Sequence, residues 1–411
     1  MQKIRLLFDV EQLSTDGLKG TGIVRVCDVL LRLLSENKEL DVYPIITSKR
    51  GDFNNYLNVK GLSEQFADKI VYMPKLKTTT KNQGKYQQLR TKLFSKIYFW
   101  KYGSILKQYD AYISMFSPIS PVVYESGLKT FMVVHDLIPM AYPDGCDPKF
   151  VKKFIDWIKR SHPDAYFCVS EYTKKDLIKF KPKAANIPIY KIYLGADNEN
   201  FKSIEDAKKI APVKEKYGIK TPKYFLAVSE ITTRKNLVHL LQAFVSFLSD
   251  TNSEDISLVL VGPVRKGYVD VAEQAKGLEK YKDKIVQTGF ADNEDLAPLY
   301  SGATAFVYPS LYEGFGLPVL EAMQCGTPVI TCNNTSLPEV GGDAVLYISG
   351  KDKNETAMLL NKIYNDESLR QMLKTKGLAR AKEFDWQKTA KIVTQNIINT
   401  VRKTNHEKTN S

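Results

Sequence analysis

One pattern recurs along most of this chain: a short unbroken apolar run, a small or polar residue, a loop, then a stretch with helical spacing. IRLLFDV (4–10), TFMVVHDL (130–137), AYFCVS (165–170), YFLAVS (224–229), SLVLVG (257–262), KIVQTG (284–289), AFVYPS (305–310) and TPVITC (327–332) are such runs. They are continuous rather than alternating and rich in β-branched and aromatic residues, so both faces of each strand are expected to be buried. Strands of that kind need helices above and below them, which makes the chain an α/β protein with parallel, doubly wound sheets. VHLLQAFVSFLSD (238–250) carries the helical spacing that should follow the YFLAVS strand.

A chain of 411 residues is too long for one such core. The polar segment DNENFKSIEDAKKIAPVKEKYGIKTPK, near 197–222, lacks strand runs and precedes a fresh strand. It divides a domain of residues 1–200 from a second of 201–385. Two doubly wound domains enclose a cleft, and ligands of such sheets bind at the carboxyl ends of the strands.

With 43% hydrophobic and 26% charged residues the composition excludes wholesale disorder. No apolar run approaches the ~20 residues that span a bilayer. MQKIRLLFDV enters a strand without a signal-peptide core, and the five cysteines, Cys27, Cys146, Cys168, Cys325 and Cys332, form no C-x-x-C pair. A reducing cytoplasm is the expected setting, without a disulfide framework or zinc site. The charge is uneven: residues 1–200 hold 31 Lys and Arg against 21 Asp and Glu, the rest 28 against 25. Something anionic is expected to meet the first half.

The segment PSLYEGFGLPVLEAMQCGTPVI (309–330) carries the clearest chemistry. Pro318 suits the first turn of a helix running to about Gln324, and Gly326 suits its stop. Gly314 and Gly316 allow close approach of the backbone to a ligand. The N–H groups of Phe315, Gly316 and Leu317 then open a helix start where a diphosphate is stabilised. Glu313 and Glu321 flank that start, and carboxylates accept from ribose or sugar hydroxyls. In SEITTRKNL (229–237), Arg234 offers a planar fork and Lys235 a point charge for phosphate oxygens. Two cations there favour departure of a nucleoside diphosphate more than they favour the bound donor.

Together these residues resemble the retaining glycosyltransferases of family 4. The resemblance runs from about Tyr224 to Val345 through R-K-N (234–236), VGP (261–263), TGF (288–290), VYPS (307–310), EGFGLPVLEA (313–322) and SLPEVGGDA (336–344). It is thinner in the first half, at GTGIVRV (20–26), VHDLIP (134–139) and VSEYTKKDL (169–177). The resemblance implies the GT-B fold of two facing Rossmann-like domains, with a C-terminal helix, residues 386–403, crossing back to the first. It implies that Arg234 and Lys235 hold the diphosphate, Glu321 the ribose and Glu313 the transferred sugar, and that Gly22 lets the first loop close over the donor. His135 would face the donor sugar. Asp136 would orient that ring or contact an acceptor, with Arg25 also on the acceptor side. The family often has adjacent glycines where Thr21 here separates Gly20 from Gly22, and Arg25 stands where a dinucleotide-binding fingerprint needs its third glycine.

No D-x-D occurs in the sequence, so the resemblance implies activity without a metal or other cofactor, a nucleotide diphosphate sugar being the co-substrate. From Lys75 to Lys107 nine basic residues stand with no acidic one, interleaved with apolar and aromatic residues at near-helical spacing. This is read as a basic amphipathic helix that packs on its own domain or lies on an anionic membrane surface; no nucleic-acid-binding motif accompanies it. The expected acceptor is a saccharide or a polyprenyl-diphosphate-linked glycan, in bacterial surface polysaccharide (O-antigen or capsule) synthesis, with mannosyl transfer the leaning. A nucleotide-sugar 2-epimerase of the same fold usually lacks this R-K-N and EGFGLPxLEA arrangement. A non-catalytic glycosyltransferase-like binding subunit would not need Arg234, Lys235, Glu313 and Glu321 together.

Overall fold

A computed structural model describes residues 2–16, 22–47, 53–66, 68–73, 98, 100–263 and 278–409. Among them lie two all-parallel sheets. The first contains β1 (Ile4–Asp9), β2 (Leu40–Ile46), β3 (Val71–Tyr72), β4 (Ala111–Ser114), β5 (Lys129–Val134), β6 (Ala165–Cys168) and β7 (Ile189–Lys191), in the order β3-β2-β1-β4-β5-β6-β7. The second contains β8 (Lys223–Val228), β9 (Ile256–Val261), β10 (Ile285–Gly289), β11 (Ala305–Tyr308), β12 (Val329–Cys332) and β13 (Leu346–Ile348), in the order β10-β9-β8-β11-β12-β13. The helices that matter below are α1 (Gly22–Ser35), α2 (Glu171–Phe180), α3 (Ala207–Lys216), α4 (Leu237–Thr251), α5 (Leu317–Gln324), α6 (Leu337–Gly341) and α7 (Trp386–Thr409).

The unbroken apolar runs are strands because each side of the sheet is covered. In β1, Leu6 and Phe8 join one apolar cluster while Leu7 joins the other, all fully buried. Two expectations need correction. The run at 284–289 is β10, which lies at the edge of its sheet among the described residues and is only half-buried. Strands β2, β3, β4, β7 and β13 have no counterpart among the runs named above; LDVYPII carries Asp41 and Pro44, and AYIS has only four residues. The polar stretch after residue 197 holds α3, which packs on the helix Asn293–Ser301, with Lys216 Nζ 2.8 Å from Asp292 and 2.6 Å from Asp295.

Helix α7 packs on α1 and β5 of the first sheet. Its entry is fixed where the chain passes Gly195: a Cβ there would sit 2.3 Å from Trp386. Ala196 N donates to Phe384 O at 3.0 Å in the same crossing. Val393, Ile397 and Val401 then bury one face of α7. The basic stretch 75–107 lies outside the described residues up to 97 and at 99; Trp100 within it is 78% exposed. No helix among the described residues is long and apolar enough to cross a membrane.

The strand order has a consequence for ligands. In the first sheet β1 sits between β2 and β4, and in the second β8 sits between β9 and β11. Each is a point where the order reverses, and the crevice beyond the carboxyl ends of those strands is where such sheets bind ligands.

Candidate functional site

The loops leaving those strand ends line one cavity of about 670 Å³ between the domains. Gly22, Arg25, His135 and Asp136 reach it from the first domain, and Arg234, Lys235, Glu313, Phe315, Gly316, Leu317 and Glu321 from the second. The residues singled out in the sequence are thus brought together.

Beyond β8 the chain makes a short 3₁₀ turn, Thr233–Lys235, and Asn236 takes a left-handed conformation (φ 59°) that turns it into α4. Its side-chain amide is fixed on Gly350 O at 2.8 Å. Beyond β11 the loop is tied back to this turn by Leu311 N, which donates to Arg234 O at 2.9 Å. Arg234 Nη1 and Lys235 Nζ both donate to Glu313 Oε1, at 2.6 Å each. Two hydroxyls donate to that same oxygen, Tyr308 at 2.9 Å and Ser310 at 2.5 Å. Among the described residues no donor reaches Oε2.

Burial of this carboxyl raises its pKa, but Lys235 and Arg234 outweigh that and hold it down at about 2. Arg234 is pushed upward, its own burial overcome by Glu313. Asp136 also acts on Arg234, and Glu230 on Lys235, and burial lowers the pKa of Lys235. Both cations line the cavity beside the start of α5, where an anion can reach them.

Two glycines shape the loop. Gly316 precedes α5 with φ 121°, a region closed to most side chains. Gly314 touches the other domain, where a Cβ would lie 1.9 Å from His135 O. Across the cavity, a Cβ on Gly22, the first residue of α1, would meet Leu317 at 3.3 Å. The starts of α1 and α5 therefore face the same space, where a helix start leaves N–H groups without a partner inside the helix.

His135 follows β5 with its ring buried, Nε2 2.7 Å from Met115 O. Burial lowers its pKa to about 4, and the contact with Met115 opposes this only partly. The neutral ring with the proton on Nε2 is the form that satisfies a carbonyl partner. Asp136 Oδ1 accepts from Ile138 N at 2.9 Å; burial raises its pKa.

Arg25, expected on the acceptor side, reaches across to the second domain. Its guanidinium pairs with Glu321 Oε1 and lies over the Phe201 ring at 5.2 Å. The buried carboxylate offers the charge partner that a guanidinium at this depth requires. Tyr300 donates to Glu321 Oε2 at 3.2 Å. Sequence reading passed over Tyr308, Ser310 and Tyr300 as site residues. Only the first two sat inside a quoted motif, and none is charged. Among the described residues no group of three or more His, Cys, Asp or Glu is placed to hold a metal ion.

The model of the family described as glycosyl transferases group 1 matches residues 210–380. The chain is 36% identical over 220 residues to O-antigen chain mannosyltransferase B of Escherichia coli, covering 53% of this chain and 56% of that protein. It thus spans little more than half the length of that relative, and 32% of the length of another that it matches. Over 349 residues it is 27% identical to O-antigen chain mannosyltransferase RfbU of Salmonella typhimurium, 84% of this chain and 87% of that one. The solved structure of Anabaena HepE in complex with UDP and glucose superposes with a TM-score of 0.69 at 17% identity, over 96% of this chain and 100% of that one; it bears on the fold alone. The motif-bearing second domain is where this chain matches the group 1 glycosyl transferases, and the fold and the relatives accord with that match.

Proposed function

We propose that the chain transfers a hexosyl residue, mannosyl in the first instance, from a nucleotide diphosphate sugar to a saccharide or lipid-linked glycan acceptor. The observation that carries this is the cavity where Arg234, Lys235 and Glu313 meet the opposed starts of α1 and α5. The donor diphosphate lies against Arg234 and Lys235 in this cavity. Arg234, Lys235 and the N–H groups from Phe315 to Leu317 then stabilise the charge that develops on the leaving phosphate. Glu313 Oε2 accepts from a hydroxyl of the transferred sugar, and Glu321 from the ribose once Arg25 is displaced. His135 closes the sugar end from the first domain, and Gly22 leaves room for the phosphates under α1.

The reaction is proposed to need no metal, since protein cations perform that electrostatic work, and to retain anomeric configuration as the family resemblance implies. The mannosyl leaning and the role in surface polysaccharide synthesis draw support from the two O-antigen relatives. A polyprenyl-diphosphate acceptor at the inner face of the cytoplasmic membrane fits the basic first half. There the helix Pro148–Arg160 also exposes Lys149, Lys152, Lys153, Lys159 and Arg160. Flotation on liposomes should prefer anionic lipid and weaken on neutralising Lys92, Lys96 and Lys101; indifference to lipid charge would remove the membrane part.

The test of the reaction is nucleoside diphosphate release from a panel including GDP-mannose, UDP-glucose and UDP-galactose, with and without glycan acceptors and EDTA. A nucleotide-activated mannose should give acceptor-stimulated release that survives EDTA, with the anomeric configuration kept. Release from no donor would overturn the reading.

A further inference from the structure

A set of contacts outside the cavity joins the donor loop to the opposite domain. Helix α2 begins after Ser170, and its first N–H groups have no partner within the helix. Ser170 Oγ caps Thr173 N at 2.9 Å, which is local. The N–H groups of Glu171 and Tyr172 instead donate to a carboxylate of the second domain, Glu339 on α6, at 2.8 and 2.7 Å. Tyr193 donates to the same carboxylate at 3.0 Å. Arg380 holds the backbone behind it, with Nη2 2.6 Å from Glu339 O and Nε 3.1 Å from Val340 O.

The same helix start also grips the donor loop. The hydroxyls of Ser170 and Thr173 lie 2.7 and 3.0 Å from Gly314 O, and Tyr312 donates to Asp176. Ser336, just before α6, has its hydroxyl 2.9 Å from Glu313 O and 2.7 Å from Phe315 O. Residues on either side of Glu313 are thus tied to one turn of α2 and to α6, which that turn also holds through Glu339. Of these partners only Glu313, Gly314 and Phe315 line the cavity.

We infer that Glu339 is a positioning residue: its carboxylate on the amino end of α2 latches the domains together and thereby sets the Glu313 loop for transfer. This rests on the donor reading proposed above. The interaction is charge-assisted, a carboxylate at the positive end of a helix, and it forms only when the domains meet. The side chains expected to hold the nucleotide, Arg234, Lys235 and Glu321, all belong to the second domain. Loss of the latch should therefore cost turnover and spare nucleotide binding.

The experiment compares wild type with Glu339→Ala and Glu339→Gln by turnover, by titration with GDP and UDP, and by small-angle X-ray scattering. Glu339→Ala should lower kcat by about 10- to 100-fold, the scale of a loosely held reacting group. It should also enlarge the radius of gyration and leave the nucleoside diphosphate Kd within about threefold, too small a change to count as a lost contact. Glu339→Gln keeps one acceptor and should recover part of kcat. A Glu339→Ala protein with wild-type kcat and dimensions overturns the inference, and so does one whose nucleotide affinity falls in step with kcat. Wild type that binds neither nucleotide and releases none from any donor overturns the proposed function instead. The latch is then judged by scattering, where unchanged dimensions in Glu339→Ala refute it.

Discussion

Glu313 and Glu321 stand at the two ends of one helix start, are the same residue type, and are both buried, yet they are neutralised in opposite ways. Glu313 is held within its own domain, by Arg234 and Lys235 from the turn after β8. Glu321 is held across the cleft, by Arg25 from the other domain. The charge partners in the first arrangement lie wholly within the second domain. The second breaks when the domains part or when a ligand takes the carboxylate. One glutamate is therefore built into a permanent charged cluster, and the other is a contact available for exchange.

The largest effect should come from removing the permanent charge. Glu313→Gln leaves Arg234 and Lys235 buried together without their carboxylate, and breaking such a pair costs about 3–5 kcal/mol. Turnover should fall by on the order of 10² to 10³, as when one fixed electrostatic contact of a transition state is lost. Denaturant unfolding and donor turnover measure the two. A variant with normal stability would show that Glu313 is not the keystone of the cluster.

Acid unfolding sharpens the contrast. The folded pKa of Glu313, about 2, lies below its ordinary 4.5. Its contribution is therefore fully present above pH 4.5 and lost as pH falls through 2, up to about 3 kcal/mol. Glu313→Gln should flatten that limb. The buried neutral ring of His135, at about 4 against 6.5, acts in a higher window. Its contribution is present above pH 6.5 and lost as pH falls to 4, about 1–3 kcal/mol, and His135→Asn should remove that limb alone. Stability curves from pH 7 to 3 that ignore both substitutions would contradict these assignments.

The exchangeable contact should give a smaller effect than Glu313. Arg25→Ala leaves Glu321 with Tyr300 as its remaining partner, at the wall of the cavity, and should cost about 1–3 kcal/mol of stability. It should tighten nucleoside diphosphate binding a few-fold by removing a competitor for Glu321, about 1 kcal/mol. Weaker binding would mean that Arg25 holds the nucleotide itself.

Much of the fold was legible because its signals are local. Long apolar runs marked the central strands, and Pro318 with Gly316 marked the start of α5. Strands β4, β7 and β13 are too short for such a signal, and β2 carries Pro44 in its middle. The candidate site was legible as residue types but not as pairs. Lys235 and Glu313 are 78 positions apart, Arg25 and Glu321 296, and no spacing rule connects them. Arg234 and Lys235 were read as open phosphate ligands, whereas they already share a carboxylate. The pairing of Arg25 with Glu321 leaves no local signal, and neither does that of Glu339, inside SLPEVGGDA, with the start of α2.

The division of labour between the two glutamates is tested most directly by titrating GDP and its 2′,3′-dideoxy form onto wild type, Glu313→Gln and Glu321→Ala, repeated with UDP forms if those bind better. Wild type should prefer the intact ribose by about 10-fold, roughly 1.4 kcal/mol. Glu313→Gln should keep that preference whatever its overall affinity, and Glu321→Ala should lose it. A Glu321→Ala protein that still discriminates, or a Glu313→Gln protein that no longer does, would contradict the assignment.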